Sequence, residues 1–273
     1  MLYRKFKSIA LQTILFPINQ SERKRLRLVK GIHKDRKRCF LIGNGPSIKN
    51  QDLTLLKDEI VFVANHFVLH EQYEEISPTY YCVSDPRLFI KGTNREWGEL
   101  MMKKTKSTIK FFPLRAKWAV QRSKYFVGNE IYYLNYIGHK KIWEQNTMSL
   151  NIEKGVYTGD TIIVDFCLPL AFYMGFLEIY LLGCDSDYGL ESAEDYSEGY
   201  FYDPSKTTAL RQTKEYHRKK WYNNIIKSYE VAEKNFAKRS RSIYNATHGG
   251  KLEVFPRIEY ETVIRESSRT DGR

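Results

Sequence analysis

The feature that most limits what this chain can fold into is a series of short, mostly apolar runs, each ending in small or polar residues. Cys39-Phe40-Leu41-Ile42 stops at Gly43, Ile60–Ala64 at Asn65, Tyr80–Val83 at Ser84-Asp85, and Glu178–Leu182 at Gly183. Such runs are too short for helices and apolar on both alternating sides, which predicts strands buried on both faces, as in a parallel sheet covered by helices. Thr108–Phe112 reads as another strand, and the tyrosine-rich 131–136 as a further strand or an edge. Between them, Leu53–Asp58 predicts a short helix and Asp160–Phe176 an apolar one. Residues 214–239 predict an amphipathic helix, with Trp221, Ile225, Tyr229, Ala232 and Phe236 at helical spacing. Strands alternating with helices predict an α/β fold: one Rossmann-like domain with a mostly parallel sheet over residues 39–260. Ser242–Phe255 returns to this body and residues 261–273 form a frayed tail. The Gly-, Ser-, Asp- and Tyr-rich segment 186–213 is too long for an ordinary connection and reads as a lid.

Charge divides the chain. Residues 1–38 hold twelve Lys or Arg against Glu22 and Asp35, so they carry +10 of the total +12, and the body is nearly neutral. Leu2, Phe6, Ile9, Thr13 and Phe16 recur at helical spacing beside Arg4, Lys5 and Lys7, an amphipathic basic arm. Its expected partner is an anionic membrane surface, which places the protein in the cytoplasm, peripheral at the inner face of the membrane. Alternatively the apolar stripe docks on the domain itself; nucleic acid is the less favoured partner. No apolar run is long enough to span a bilayer, and the N-terminus lacks a signal-peptide cleavage site. Cys39, Cys82, Cys167 and Cys184 form no CxxC pair. Their spacing suits neither a zinc site nor a disulfide framework, as in a reducing compartment.

Right-handed crossovers between parallel strands bring the loops after the strand ends to one edge, where ligands bind in such folds. Gly43-Asn44-Gly45-Pro46-Ser47 follows the first strand. Its glycines allow close backbone approach, Asn44 and Ser47 can hydrogen-bond a nucleotide, and Pro46 fixes the turn. The loop is neither a Walker loop nor GxGxxG, and the alternative is a tight turn without a ligand. Asn65 and Asp85 end the next strands and either line the same crevice or cap the helices after them. Thr158-Gly159 precedes a helix, either a second phosphate cradle or an ordinary N-cap. Asp185 and Asp187 form an Asp-x-Asp pair that either binds a metal or shapes a turn. His217, beside Lys214, Arg218, Lys219 and Lys220, is the first choice for a general base, since cationic neighbours favour neutral imidazole. His66 and His248 are its substitutes; His33, His70 and His139 lack supporting context.

In order, Leu41–Ser47, Val63-Ala64-Asn65, Ser84-Asp85-Pro86, Thr158-Gly159 and Ile179–Asp185 resemble the bacterial sialyltransferases of lipooligosaccharide synthesis. They resemble still more the related superfamily of flagellin motility accessory factors and archaeal 6-hydroxymethylpterin pyrophosphokinases, whose C-terminal signature is similar to Ile243–Thr247, Gly249-Gly250 and Phe255-Pro256-Arg257. The resemblance implies a GT-A-variant fold and a donor site made of Gly43, Asn44, Gly45, Pro46, Ser47, Asn65, Asp85, Thr158, Gly159 and Asp185, which would hold a cytidine nucleotide. It implies inverting transfer of a CMP-activated acidic sugar to a glycan or lipid-linked glycan hydroxyl. His217 would be the base, Tyr188, Tyr200 and Tyr202 candidates for holding the leaving phosphate, and no cofactor or metal would be needed. An arginine that the sialyltransferases carry shortly before Thr158 is replaced by Gly155-Val156-Tyr157. The pyrophosphokinase relationship implies instead ATP, a pterin and Mg²⁺ held by Asp85, Asp185 and Asp187. A non-catalytic nucleotide-sugar binding module at the membrane is the third reading.

Overall fold

The computed structural model describes residues 20–89, 95–123, 125–128, 130–187, 199–203 and 215–270, without the side chains of His139 and His217 among others. The apolar stripe Leu2–Phe16, Tyr188 and most of the expected lid lie outside the described residues.

Seven parallel strands form the main sheet: β1 Arg38–Ile42, β2 Val61–Ala64, β3 Tyr80–Cys82, β4 Ile109–Pro113, β5 Ile131–Leu134, β8 Glu178–Leu182 and β9 Ser242–Asn245. Their order is β5-β4-β3-β2-β1-β8-β9, and β6 Tyr136–Lys141 with β7 Val156–Thr158 makes a separate two-stranded sheet. Every apolar run expected to be a strand is one, to within a residue or two. Alternation sends Cys39 and Leu41 to one face of β1 and Phe40 and Ile42 to the other, and all four are wholly buried. Each face has its own hydrophobic layer, the reason these strands carry no polar stripe.

The chain leaves β1 toward β2 on one side and returns to β8 on the other. The crevice between the carboxyl ends of β1 and β8 is therefore the topological switch point, where ligands bind in open α/β sheets. The ladder continues past the strand ends, with Gly43 N–H donating to the Leu182 carbonyl (2.8 Å) and Gly45 N–H to that of Gly183 (2.9 Å).

Two segments differ from the sequence expectation. Residues 20–38 are not a free arm, and the packed body begins well before Cys39. Residues 20–26 are helical, and Leu26 and Val29 are buried in the core layer that holds Leu41. Gly31 and His33 donate their N–H groups to the Tyr173 and Met174 carbonyls (both 2.9 Å), and buried Glu22 accepts from Lys117 (2.7 Å). Burial of each apolar side chain stabilises by about 1.5–3 kcal/mol, enough to hold a basic segment down despite its charge. The expected tail is a helix, Tyr260–Thr270, whose Tyr260 and Val263 are buried beside the sheet. All four cysteines are buried free thiols. No helix among the described residues is long and apolar enough to cross a membrane.

Candidate functional site

At the switch point lies a cleft of about 390 Å³, lined from four directions. Gly43, Asn44 and Gly45 come from the end of β1, Gly183–Asp187 from β8, and Asn65, Ser84 and Asp85 from β2 and β3. Thr158 and Asp160–Ile163 close the fourth side, with Tyr136, Asp165, Tyr200, Trp221 and Tyr229 completing the wall.

The two loops at the floor pack backbone to backbone, which only glycine permits. A Cβ on Gly43 would stand 2.4 Å from the Gly183 carbonyl oxygen, and one on Gly45 would stand 1.8 Å from Asp185 Oδ2. Asp185 is buried and locks the loops together, accepting from the Ser47 amide (3.1 Å) and hydroxyl (2.8 Å). Burial pushes its carboxyl up, and the Ser47 bonds pull it part of the way back. Pro46 and Ser47 themselves do not line the cleft: Ser47 is the fastener, and Asn44 is the motif's half-buried side chain on the cleft wall. The C-terminal signature has a similar supporting role. Thr247 Oγ1 accepts from the Cys184 N–H (3.1 Å), Lys251 N–H donates to the Asp185 carbonyl (2.6 Å), and Arg257 holds the carbonyls of Gly249 (2.7 Å) and Gly250 (3.0 Å).

Three buried polar atoms on cleft residues, Asn44 Oδ1, Asn65 Oδ1 and Ser186 Oγ, have no hydrogen-bond partner among the described residues. Asn44 is fixed by Nδ2, which donates to the Ala64 carbonyl (2.9 Å), so the amide is held between the ends of β1 and β2. Left unpaired, such groups cost about 1–3 kcal/mol each, so three of them on cleft residues suit a polar ligand. Asn65 (φ 48°), Asp160 (φ 63°) and Ser186 (φ 54°) also hold left-handed backbone conformations without being glycine.

Thr158-Gly159 is not the open cradle that its spacing predicts. The Gly159 amide donates to Asp165 Oδ1, and Thr158 Oγ1 donates to Asp165 Oδ2 (3.2 Å). The helix expected from Asp160 begins at Ile162, and its first turns include a π-helical segment, Ile163–Cys167. Thr161, Ile162 and Ile163 at its N-terminus face the cleft, so this is the end whose amides and partial positive charge suit an anion.

Asp165, which no sequence motif singled out, sits in the π-helical segment and also accepts from the Tyr136 hydroxyl (2.9 Å). Burial pushes its carboxyl up to about 7, and the bonds from Gly159, Tyr136 and Thr158 act in the opposite sense. Asp165 is a buried acid in an apolar helix, a pattern that could have flagged it: such a residue is either bonded or functional. A carboxyl raised in the folded state binds its proton more tightly there than in the unfolded chain. Its contribution to stability is therefore full below the unfolded value near 4 and is lost as pH rises toward 7, at about 1.4 kcal/mol per pH unit. Asp165→Asn removes that titration. The Tm of the parent, measured from pH 4.5 to 7.5, should fall relative to the variant as pH rises; parallel curves would show that Asp165 does not titrate in this window.

Five aspartates line the cleft, Asp85, Asp160, Asp165, Asp185 and Asp187, and no Lys or Arg does among the described residues. Asp160 pairs with Lys141 (3.3 Å) and Asp187 with Lys251 (3.0 Å) at the rim. No group of three or more His, Cys, Asp and Glu among the described residues is placed to hold a metal, although Mg²⁺ commonly needs only one or two carboxylates besides substrate phosphates. Of the lid tyrosines, Tyr200 lines the cleft. Tyr202 does not: its hydroxyl bonds His66 Nδ1 (3.1 Å), and burial drives the His66 pKa down to about 4. Phe201 N–H donates to the Asn44 carbonyl (3.0 Å), so residues 199–203 fold over the glycine loop. His248 is exposed in the loop after β9. His217 lies in the first turn of the helix Glu215–Ala237, four residues before Trp221.

No curated protein matches the chain. One family model does, 6-hydroxymethylpterin diphosphokinase MptE-like, over residues 16–190. That span covers well over half of the chain, from the docked basic segment through β8, and includes both loops of the switch point. With its Rossmann-like parallel sheet and a cleft between the ends of β1 and β8, the chain belongs to the 6-hydroxymethylpterin diphosphokinase MptE-like family.

Proposed function

We propose that the chain is a glycosyltransferase that takes a CMP-activated acidic sugar and passes the sugar, with inversion, to a hydroxyl of a surface glycan. The observation that supports this is the pair of unpartnered amide oxygens, Asn44 Oδ1 and Asn65 Oδ1, on the two strand-end loops of the switch point. Both are acceptors, so they suit donors of a nucleoside: ribose hydroxyls and the exocyclic amine of cytosine. A CMP-activated acidic sugar brings one phosphodiester charge and one carboxylate charge into a cleft lined by aspartates, which repels it less than a metal-free triphosphate. The N-terminal amides at Thr161–Ile163 would face that phosphate. His217 would take the acceptor proton, and inverting displacement needs no protein nucleophile. The acceptor would be a glycan or lipid-linked glycan at the membrane.

The cleft carboxylates favour a second reading. Asp85, Asp185 and Asp187 could hold Mg²⁺ on ATP for diphosphoryl transfer, the activity in the family's name. One experiment separates the two: a thermal-shift screen of CMP, CDP, UDP, GDP and ATP, each with and without Mg²⁺. A ligand at 100 times its Kd stabilises by about 2.7 kcal/mol. CMP should stabilise without metal, and Asn44→Ala and Asn65→Ala should each weaken it by about 0.5–1.5 kcal/mol. Stabilisation by ATP only with Mg²⁺ would transfer the assignment to the diphosphokinase reading. CMP-sugar binding with no turnover on any acceptor would leave a binding module.

A further inference from the structure

A second concavity, of about 770 Å³, lies at the opposite edge of the sheet, where β1, β8 and β9 begin. It is lined by four cations, Lys30, Lys34, Arg239 and Arg241, and by no Asp or Glu among the described residues. The basic segment thus supplies half of the charge, and the turn after the long helix Glu215–Ala237 supplies the rest. The two arginines are brought together on one ring: the Arg241 guanidinium stands 3.8 Å and that of Arg239 5.9 Å from the centre of Phe172. Both donate to backbone carbonyls, Arg239 to that of Asn235 (2.9 Å) and Arg241 to that of Phe172, bonds that neutralise neither charge. Two neighbouring acids are engaged by other cations, Glu153 by Arg27 (2.6 Å) and Glu178 by Lys37 (2.7 Å), while Asp35 follows Lys34 on the exposed side of the segment. Exposed aliphatic side chains accompany these cations: Leu177 lines the groove, and Leu28 (71% exposed) and Ile32 (52%) lie two positions either side of Lys30 in sequence on the docked segment.

We propose that this groove, with Leu28 and Ile32, is the face on which the protein sits against an anionic phospholipid surface, leaving the nucleotide cleft open on the far edge. Four like charges lining one groove, with no ion pair to any of them among the described residues and only Glu153 near Lys30, call for an anionic partner, and each Lys or Arg near such a surface adds attraction. The exposed aliphatic side chains select lipid over nucleic acid, since they gain by entering the headgroup boundary and gain nothing from a phosphate backbone. The proposal does not depend on which group the cleft transfers.

The test is co-sedimentation of the full chain with phosphatidylcholine vesicles, with and without phosphatidylglycerol, and a parallel titration with duplex DNA. Binding should require the anionic lipid. The triple variant Lys30→Gln/Lys34→Gln/Arg239→Gln should bind about 100-fold more weakly, from the loss of three charges each worth about fivefold. Leu28→Ser/Ile32→Ser should weaken binding even at high salt, where charge attraction is screened. Nucleotide-induced thermal stabilisation should be unchanged in both variants and in vesicle-bound protein, which reports an intact fold and an unobstructed cleft separately from the lipid face. Equal sedimentation of parent and triple variant would overturn the proposal. So would equal binding to neutral vesicles, or a loss seen with DNA and not with vesicles.

Discussion

Replacing His217 with alanine is expected to lower kcat by 10²- to 10⁴-fold while leaving CMP affinity nearly unchanged, the signature of a lost general base. The expectation rests on position. His217 is one turn before Trp221 in the same helix, and Trp221 lines the cleft. None of the other histidines with described side chains lines it. His66 is buried against Tyr202 with its pKa driven to about 4, His33 bonds the Tyr80 hydroxyl (2.6 Å), and His248 is exposed after β9. A base must be neutral to accept a proton, so the rate should fall on acidification as the His217 imidazole protonates. The check is steady-state kinetics against pH, alongside CMP affinity from thermal shifts. Near-normal turnover in His217→Ala would move the role to Asp165, the cleft carboxyl whose pKa lies near 7.

Gly45→Ala should abolish nucleotide binding and destabilise the fold, although the Gly45 backbone (φ −68°) is one that alanine adopts freely. The obstacle is space. The added methyl would stand 1.8 Å from Asp185 Oδ2 and 2.8 Å from the Gly183 carbonyl oxygen, so the carboxylate must leave Ser47. Overpacking combined with the loss of charge-assisted bonds costs roughly 2–5 kcal/mol, a fall in Tm of about 5–15 °C. Gly98→Ala is the control. Gly98 lies within the helix Arg95–Lys104, where a Cβ would meet only Tyr125 at 3.5 Å. That change should be neutral or stabilising by up to about 1 kcal/mol. Differential scanning calorimetry of both variants with and without nucleotide decides the matter. A Gly45→Ala protein that kept its Tm and its response to CMP would mean that the Asp185–Ser47 lock yields without cost.

The order of strands along the chain, the parallel α/β class and the convergence of Asn44, Asn65, Asp85 and Asp185 on one edge were all legible in the residues. Burial on both faces leaves a continuous apolar run, and the turn at its end must use residues that tolerate close approach or unusual backbone angles. Local chemistry writes both signals directly into the sequence. Three other features depend on which distant segments meet, and no local pattern records that. The glycine-loop motif presents Ser47 as a ligand residue, but Asp185, 138 positions away, takes up its amide and hydroxyl. Thr158-Gly159 has the spacing of a phosphate cradle, yet the π-helical segment swings Asp165 back onto its amide and leaves Thr161–Ile163 facing the cleft. Residues 20–38 read as a loose basic arm because charge dominates their composition. Leu26 and Val29 anchor them in the core, and two buried side chains make too sparse a pattern to stand out. The layers, and the edge where chemistry can occur, were therefore fixed locally, because burial and turn geometry act over a few residues. Which polar groups remain free to bind was settled by packing, because a hydrogen bond goes to whichever partner the folded core brings within about 3 Å.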